Sequence, residues 1–140
     1  SNEEIATEEK QDDTTSTSRA IIRNTSMVLK RMAKDRANNK CELEPINSCK
    51  YFTSKENSNN YLEVHHLIPF EFSNEFEASI EILDNYVALC PNCHMLLHHG
   101  ADRERKGAIT YLFHQREEGL KAHGIDIKLE TLFKYYQIED

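Results

Sequence analysis

The stretch LDNYVALCPNCHMLLHHG, residues 83–100, changes its period half-way along. NYVALC reads as a strand. From Pro91 onward the text reads as a helix, with the proline in its first turn and Gly100 just past its end. On that helix His94 and His98 stand four residues apart, so their imidazoles share one face within reach of a single divalent ion. A third ligand has to come from elsewhere in the chain.

Upstream, YLEVHHLIPF (61–70) predicts a partner strand over about 61–66 that ends on His65 and His66. Adjacent strand residues point to opposite faces, so the two histidines cannot easily do the same job. One of them is the natural third ligand. The other, free of metal, titrates near neutrality and is a competent general base. A cation beside a bound phosphate stabilises developing charge while a base deprotonates the attacking water, and this layout suits phosphodiester hydrolysis. His99 adjoins His98 and is the alternative ligand on the helix, although the spacing from His94 favours His98. His114 and His123 read as surface or cap residues.

Four cysteines stand in the chain, and Cys90-Pro91-Asn92-Cys93 is a tight C-x-x-C. No export signal opens the sequence, so metal binding is a better reading than disulfides, with reduced buried thiols as the alternative. No apolar run reaches membrane-spanning length, which makes a soluble cytoplasmic protein the default.

The net charge of −7 over 140 residues argues at first against a polyanion partner. Its distribution restores the possibility. Residues 1–18 carry six acids and one lysine, whereas residues 19–40 carry seven Lys/Arg and one Asp. The acidic, Ser/Thr-rich stretch 1–18 predicts a disordered linker or tag remnant, and the start Ser1-Asn2 without methionine suggests a piece of a longer chain. Structure is expected from Ser18, with a basic amphipathic helix over 19–38. Its apolar stripe would be Ile21, Thr25, Val28, Leu29 and Met32. Loop signals follow over 39–60. After the strand–loop–strand–helix core at 61–100, helices are expected over 101–138, one from about Arg103 to a His123-Gly124 cap and a last one packing Leu129, Leu132, Phe133 and Tyr136.

EVHHLIP followed by DNYVALCPNCHMLLH closely resembles the HNH nucleases and their ββα-metal motif, over about residues 41–100. The resemblance implies an α+β fold, a small ββα-metal (HNH, or His-Me finger) core with a structural zinc site and flanking helices. It makes His65 the first metal ligand and His66 the general base. Asn85 becomes the residue that steadies the two-stranded turn and through it the His66 imidazole, and His94 and His98 become the remaining ligands. The catalytic cation would be Mg, Mn, Ni or Zn. Cys41, Cys49, Cys90 and Cys93 would hold the structural zinc, although seven residues separate the first pair where a tight knuckle has two.

The resemblance thus implies a metal-dependent endonuclease acting on DNA. The text is most like the HNH domains at the C-terminal end of bacterial restriction enzymes, including those that attack modified DNA. A separate upstream domain would then recognise the site, and a double-strand break would need a homodimer or two successive nicks. Candidate phosphate contacts are Arg23, Lys30, Arg31 and Lys34 on the basic helix and Arg103, Arg105 and Lys106 beyond the metal-bearing one; the plain alternative is a solvated charged face. Two rival functions are a non-catalytic zinc-binding adaptor and a toxin or effector nuclease of low sequence specificity.

Overall fold

A computed structural model describes residues 16–139. The expected linker lies almost entirely outside them. Helix α1 spans Ser16–Arg36, so Ser16 and Thr17, assigned to the linker by sequence, are helical, as is Ser18. The strands are β1 (Glu63–His66) and β2 (Tyr86–Leu89), followed by α2 (Pro91–His99), α3 (Asp102–Ala122) and α4 (Leu129–Tyr135). Two 3-10 turns, Phe70–Glu75 and Leu83–Asn85, punctuate the long connection between the strands. No helix among the described residues is long and apolar enough to cross a membrane.

The sheet is a two-stranded antiparallel pair with Val64 opposite Ala88, His65 opposite Val87 and His66 opposite Tyr86. Two strands alone are marginal in water. Here both faces are covered. The main core, including Leu67, Ile68, Val87, Leu97, Ile109, Leu112 and Leu120, joins one side of the hairpin to α2 and α3. A smaller cluster of Leu29, Ala33 and Tyr86, with Val64 beside it, seats α1 on the other side. All four β2 residues are buried, which explains why YVAL reads as a continuous apolar run instead of an alternating one.

The outer edge of β2 is also closed. Glu42 N–H donates to the Ala88 carbonyl at 2.9 Å, and Ala88 N–H donates to the Glu42 carboxylate at 2.7 Å. Arg116, placed on the apolar spacing of α3, is buried and donates to that same carboxylate and to the Tyr86 carbonyl. Arg36 donates to the Tyr86 carbonyl at 2.5 Å. Two guanidiniums and one carboxylate thus satisfy an edge that would otherwise invite pairing.

The apolar stripe expected on α1 needs correction. Ile21 is 50% exposed and Met32 38% exposed, while Leu29 and Ala33 are the buried residues. The helix meets the hairpin through Leu29 and Ala33 in its C-terminal half, so Ile21 lies beyond the contact and Met32, in the same half, is off the contacting face. Just past the end of the helix, Asn38 and Asn39 both take the left-handed conformation that asparagine tolerates best after glycine. The cap of α3 also forms, with Gly124 at φ 81° and Ile125 N–H donating to the Leu120 carbonyl at 2.9 Å.

Candidate active site

Strand alternation separates the two histidines of β1. His65 faces α2 and is nearly buried. Its ring centroid lies 5.2 Å from that of His94 and 5.1 Å from that of His98. One ring nitrogen from each of the three lies within 4.8 Å of the others. His99, the alternative on the helix, is not part of this cluster. The one-turn spacing of His94 and His98 brings their Nε2 atoms to 3.1 Å. Two bare nitrogens at that distance repel, so the spot calls for a shared proton or a cation.

The surroundings favour lone pairs over protons. Burial lowers the basicity of His65 to about 3, with His94, His98 and His66 adding like-charge repulsion. His98 is lowered by burial and by His94 and His99. His94 is oriented by Glu63, whose carboxylate accepts from Nδ1 at 2.9 Å; Tyr61 donates to the same carboxylate at 3.0 Å. The His94 hydrogen bond and Tyr61 hold Glu63 below the usual carboxylate range. A histidine donating one nitrogen to a carboxylate while presenting the other is a recurring metal-site arrangement. Glu63 has no signature of its own in the sequence, but its position two residues before His65, on the same strand face, is a usable signal.

His66 points to the other side. Its Nε2 sits 3.2 Å from both carboxylate oxygens of Glu81, and its ring packs edge-on against Tyr86 with centroids 4.6 Å apart. The Tyr86 hydroxyl donates to Glu81 and lies 3.2 Å from Ser26 Oγ on α1. A carboxylate accepts and does not donate, so Nε2 carries a proton, and in the neutral imidazole Nδ1 is then the nitrogen with the lone pair.

Asn85 acts at one remove from that ring. It is fully buried; its Oδ1 accepts from Ile68 N–H at 2.7 Å, and its Nδ2 donates to the carbonyls of Ile68 at 3.0 Å and Ile80 at 3.1 Å. It pins the chain leaving β1 to the chain entering β2. The side chain that hydrogen-bonds to the His66 imidazole is Glu81, which sequence reasoning misses because nothing distinguishes it from Glu71, Glu75 and Glu77 in the same connection.

The four thiols also converge. Their Sγ atoms all lie within 4.8 Å of one another, none forms a disulfide, and Cys49 and Cys93 stand 3.8 Å apart. A tetrahedral Zn–S site has sulfurs about 3.8 Å apart, so the donor set and its spacing fit zinc. The wide gap from Cys41 to Cys49 is closed by tight turns, with Glu44 N–H donating to the Cys41 carbonyl at 3.0 Å and Asn47 N–H to that of Leu43 at 2.9 Å. Tyr51 braces the loop, accepting from Cys41 N–H at 2.8 Å and donating to Glu44 at 2.5 Å. A hydrogen bond with Cys93 and burial push the Cys41 thiol above its ordinary range, and burial pushes Cys49 up to about 12. A cation would have to displace those protons.

The hairpin and most of both donor clusters fall in the part of the chain that is similar to known proteins. Residues 47–100 match the family model of the HNH endonucleases. The matched segment holds His65, His66, Asn85, His94, His98 and three of the four cysteines, and its helix and antiparallel hairpin fit an α+β HNH fold. Cys41, α1, α3 and α4 lie outside it. The chain is also 41% identical over 54 residues to the type IV methyl-directed restriction enzyme EcoKMcrA of Escherichia coli (strain K12), a match covering 39% of this chain and 18% of that protein. The relative is thus much the longer chain.

The candidate phosphate contacts divide. Arg23 and Lys30, with Arg19, line a groove between α1 and the connection, floored by Glu81 and Phe70. The Phe70 ring lies 5.6 Å from that of His66, so the groove leads to that imidazole. Arg31 is exposed and Lys34 half-buried, and neither lines the groove. Arg103 is exposed. Arg105 is largely buried and donates to the Tyr136 carbonyl at 2.7 Å and to Asp102 at 2.8 Å, and Lys106 lies 5.3 Å above the Phe133 ring. Those contacts tie α3 to α4, and Arg105 also lines the cavity it shares with His65, His98 and Tyr136.

Proposed function

We propose that this chain is a metal-dependent DNA endonuclease, serving as the cleavage part of a restriction enzyme whose recognition domain lies elsewhere in a longer protein. One observation carries the reading. Within a segment that matches the HNH endonucleases, a single hairpin sends His65 towards two further imidazoles and His66 towards a carboxylate and a basic groove. The partial match to a methyl-directed restriction enzyme supports the restriction role and points to modified DNA as a substrate worth testing.

In this reading His65, His94 and His98 hold the catalytic divalent ion, and Cys41, Cys49, Cys90 and Cys93 hold a structural zinc. The ion supplies Lewis-acid stabilisation of the phosphate and the leaving oxygen when bound. The chain's own residues do the rest. Glu81 keeps the His66 proton on Nε2, so Nδ1 is free to take a proton from the attacking water. Asn85 fixes the backbone on both sides of the hairpin and so fixes where His66 stands. Arg19, Arg23 and Lys30 draw the phosphate backbone along the groove that ends at the base.

The test is cleavage of supercoiled plasmid, with and without modified bases, by metal-stripped protein given back Mg²⁺, Mn²⁺, Ni²⁺ or Zn²⁺. Metal-dependent nicking is expected, with His66→Ala slower by about 10²–10⁴-fold at unchanged metal content. Glu81→Gln should fall between the two, slower by roughly tenfold, because it weakens the hold on the ring without removing the base. Equal rates in wild type and His66→Ala would sink the assignment of the base. Zinc on the cysteines with no cleavage under any metal would favour the adaptor reading.

A further inference from the structure

We propose that Tyr136, just past α4, is a positioning residue that decides which nitrogen His65 offers to a metal, holding the proton on Nε2 and leaving Nδ1 as the donor. This rests on the reading of His65, His94 and His98 as ligands and goes beyond it, since Tyr136 lies outside the matched segment. Counting protons fixes the direction of each bond. The Tyr136 hydroxyl has one, and its oxygen lies 2.6 Å from the Leu67 carbonyl and 3.4 Å from that of His66. A carbonyl only accepts, so the hydroxyl proton is committed there. The same oxygen is 2.8 Å from His65 Nε2 and can only accept from it. Neutral imidazole carries one N–H, which leaves Nδ1 with the lone pair.

His94 is set the opposite way by a different partner. Glu63 accepts from its Nδ1, so its Nε2 is the free nitrogen that faces His98 Nε2. Two neighbouring ligands therefore hold opposite tautomers, one chosen by a strand carboxylate and the other by a hydroxyl from the C-terminal end of the fold. Tyr136 is buried, which limits competition from water for the bond. Its backbone is held by Arg105, and Tyr135 beside it stacks on Phe72 with centroids 3.9 Å apart. The last helix thus reaches into the site through a rigid mount. Outer partners of metal-binding histidines work in this way, fixing tautomer and ring direction.

The first measurement is the ¹⁵N spectrum of the histidine side chains in the metal-free chain at pH 8. A protonated Nε2 and a bare Nδ1 on His65 are expected, and a proton on Nδ1 would overturn the proposal. The second compares wild type with Tyr136→Phe, which keeps the ring and removes only the hydroxyl. Ni²⁺ is titrated calorimetrically into protein already given one equivalent of Zn²⁺. The variant should bind Ni²⁺ about tenfold or more weakly, with His65 becoming a tautomer mixture and His94 unchanged. Tight Ni²⁺ binding by both proteins, with the same His65 tautomer, would sink the role of Tyr136 and leave the three ligands standing. A wild type that binds Ni²⁺ no better than His94→Ala would sink both. Should Tyr136→Phe fail to fold, the wild-type spectrum decides the proposal on its own.

Discussion

The two donor clusters meet on α2, and they differ in burial, in chemistry and in what surrounds them. At the N-terminal end, Cys90 caps the helix and Cys93 lies in its first turn; with Cys41 they are buried, and the loop carrying Cys49 wraps the fourth side. Directly after Cys93, His94 is half-buried, His98 one turn on is exposed, and only His65 is enclosed. Four donors around one point leave no room for a substrate, whereas three donors with an open side leave a position for one. The same short helix thus presents a closed site suited to holding structure and an open one suited to chemistry. The difference comes from sequence distance as much as from donor type. The cysteine cluster recruits a loop from before the hairpin, and the histidine cluster recruits only the strand next to it.

If the closed cluster is structural, breaking it should have the largest effect. Cys90→Ala removes a buried donor and the residue that caps α2 through its sulfur. Structural zinc sites contribute on the order of 10 kcal/mol in small domains. The variant should lose its zinc and melt lower by roughly ten degrees or more, read by circular dichroism alongside metal analysis. An unchanged melting temperature would remove the contrast between the two clusters.

His94→Ala is the reciprocal change. It takes one donor from the open cluster and leaves the Glu63 carboxylate half-exposed to water, so the fold should melt within a few degrees of wild type. Cleavage should be lost and Ni²⁺ binding at the histidines abolished, with the zinc content unchanged. A variant that unfolds would show that the histidine cluster also carries structure. The pair of substitutions separates stability from chemistry in one short helix.

How much of this is legible in the sequence depends on whether a feature has a spacing. The His94 and His98 pair, the C-x-x-C and the change from strand to helix period each follow from 3.6- or 2-residue repeats, and the structure brings those residues together. The opposite faces of His65 and His66 follow from strand alternation. Glu81 has no such signal, and the spacing that buries Tyr136 does not name its partner, because both partners are chosen by the tertiary path of a long connection and of a distant helix. The contacts of Arg105 and Lys106 with the last helix and the residue past it are hidden for the same reason. The α1 stripe departs from expectation differently. Its apolar spacing exists, but a two-stranded hairpin is too short to cover a 21-residue helix, so residues towards the N-terminus such as Ile21 stay exposed.

Helix α1 also gives the finest comparison, between two adjacent cations. Lys30 lines the groove that leads to His66; Arg31, next in sequence and exposed, does not. On a helix, neighbours in sequence stand about 100° apart, so a bound backbone lying in the groove meets one and misses the other. Each phosphate contact releases condensed counterion and adds close to one to the salt slope of binding. Lys30→Ala should therefore lower the slope of log K against log salt by about one for a catalytically silenced His66→Ala protein, and Arg31→Ala should leave it nearly unchanged. The small size of the expected difference makes the slope a better readout than affinity at one salt concentration, where both substitutions remove one unit of charge. Equal slopes for the two variants would mean that α1 attracts DNA only through its net charge, and the path of the strand to the base would have to run elsewhere.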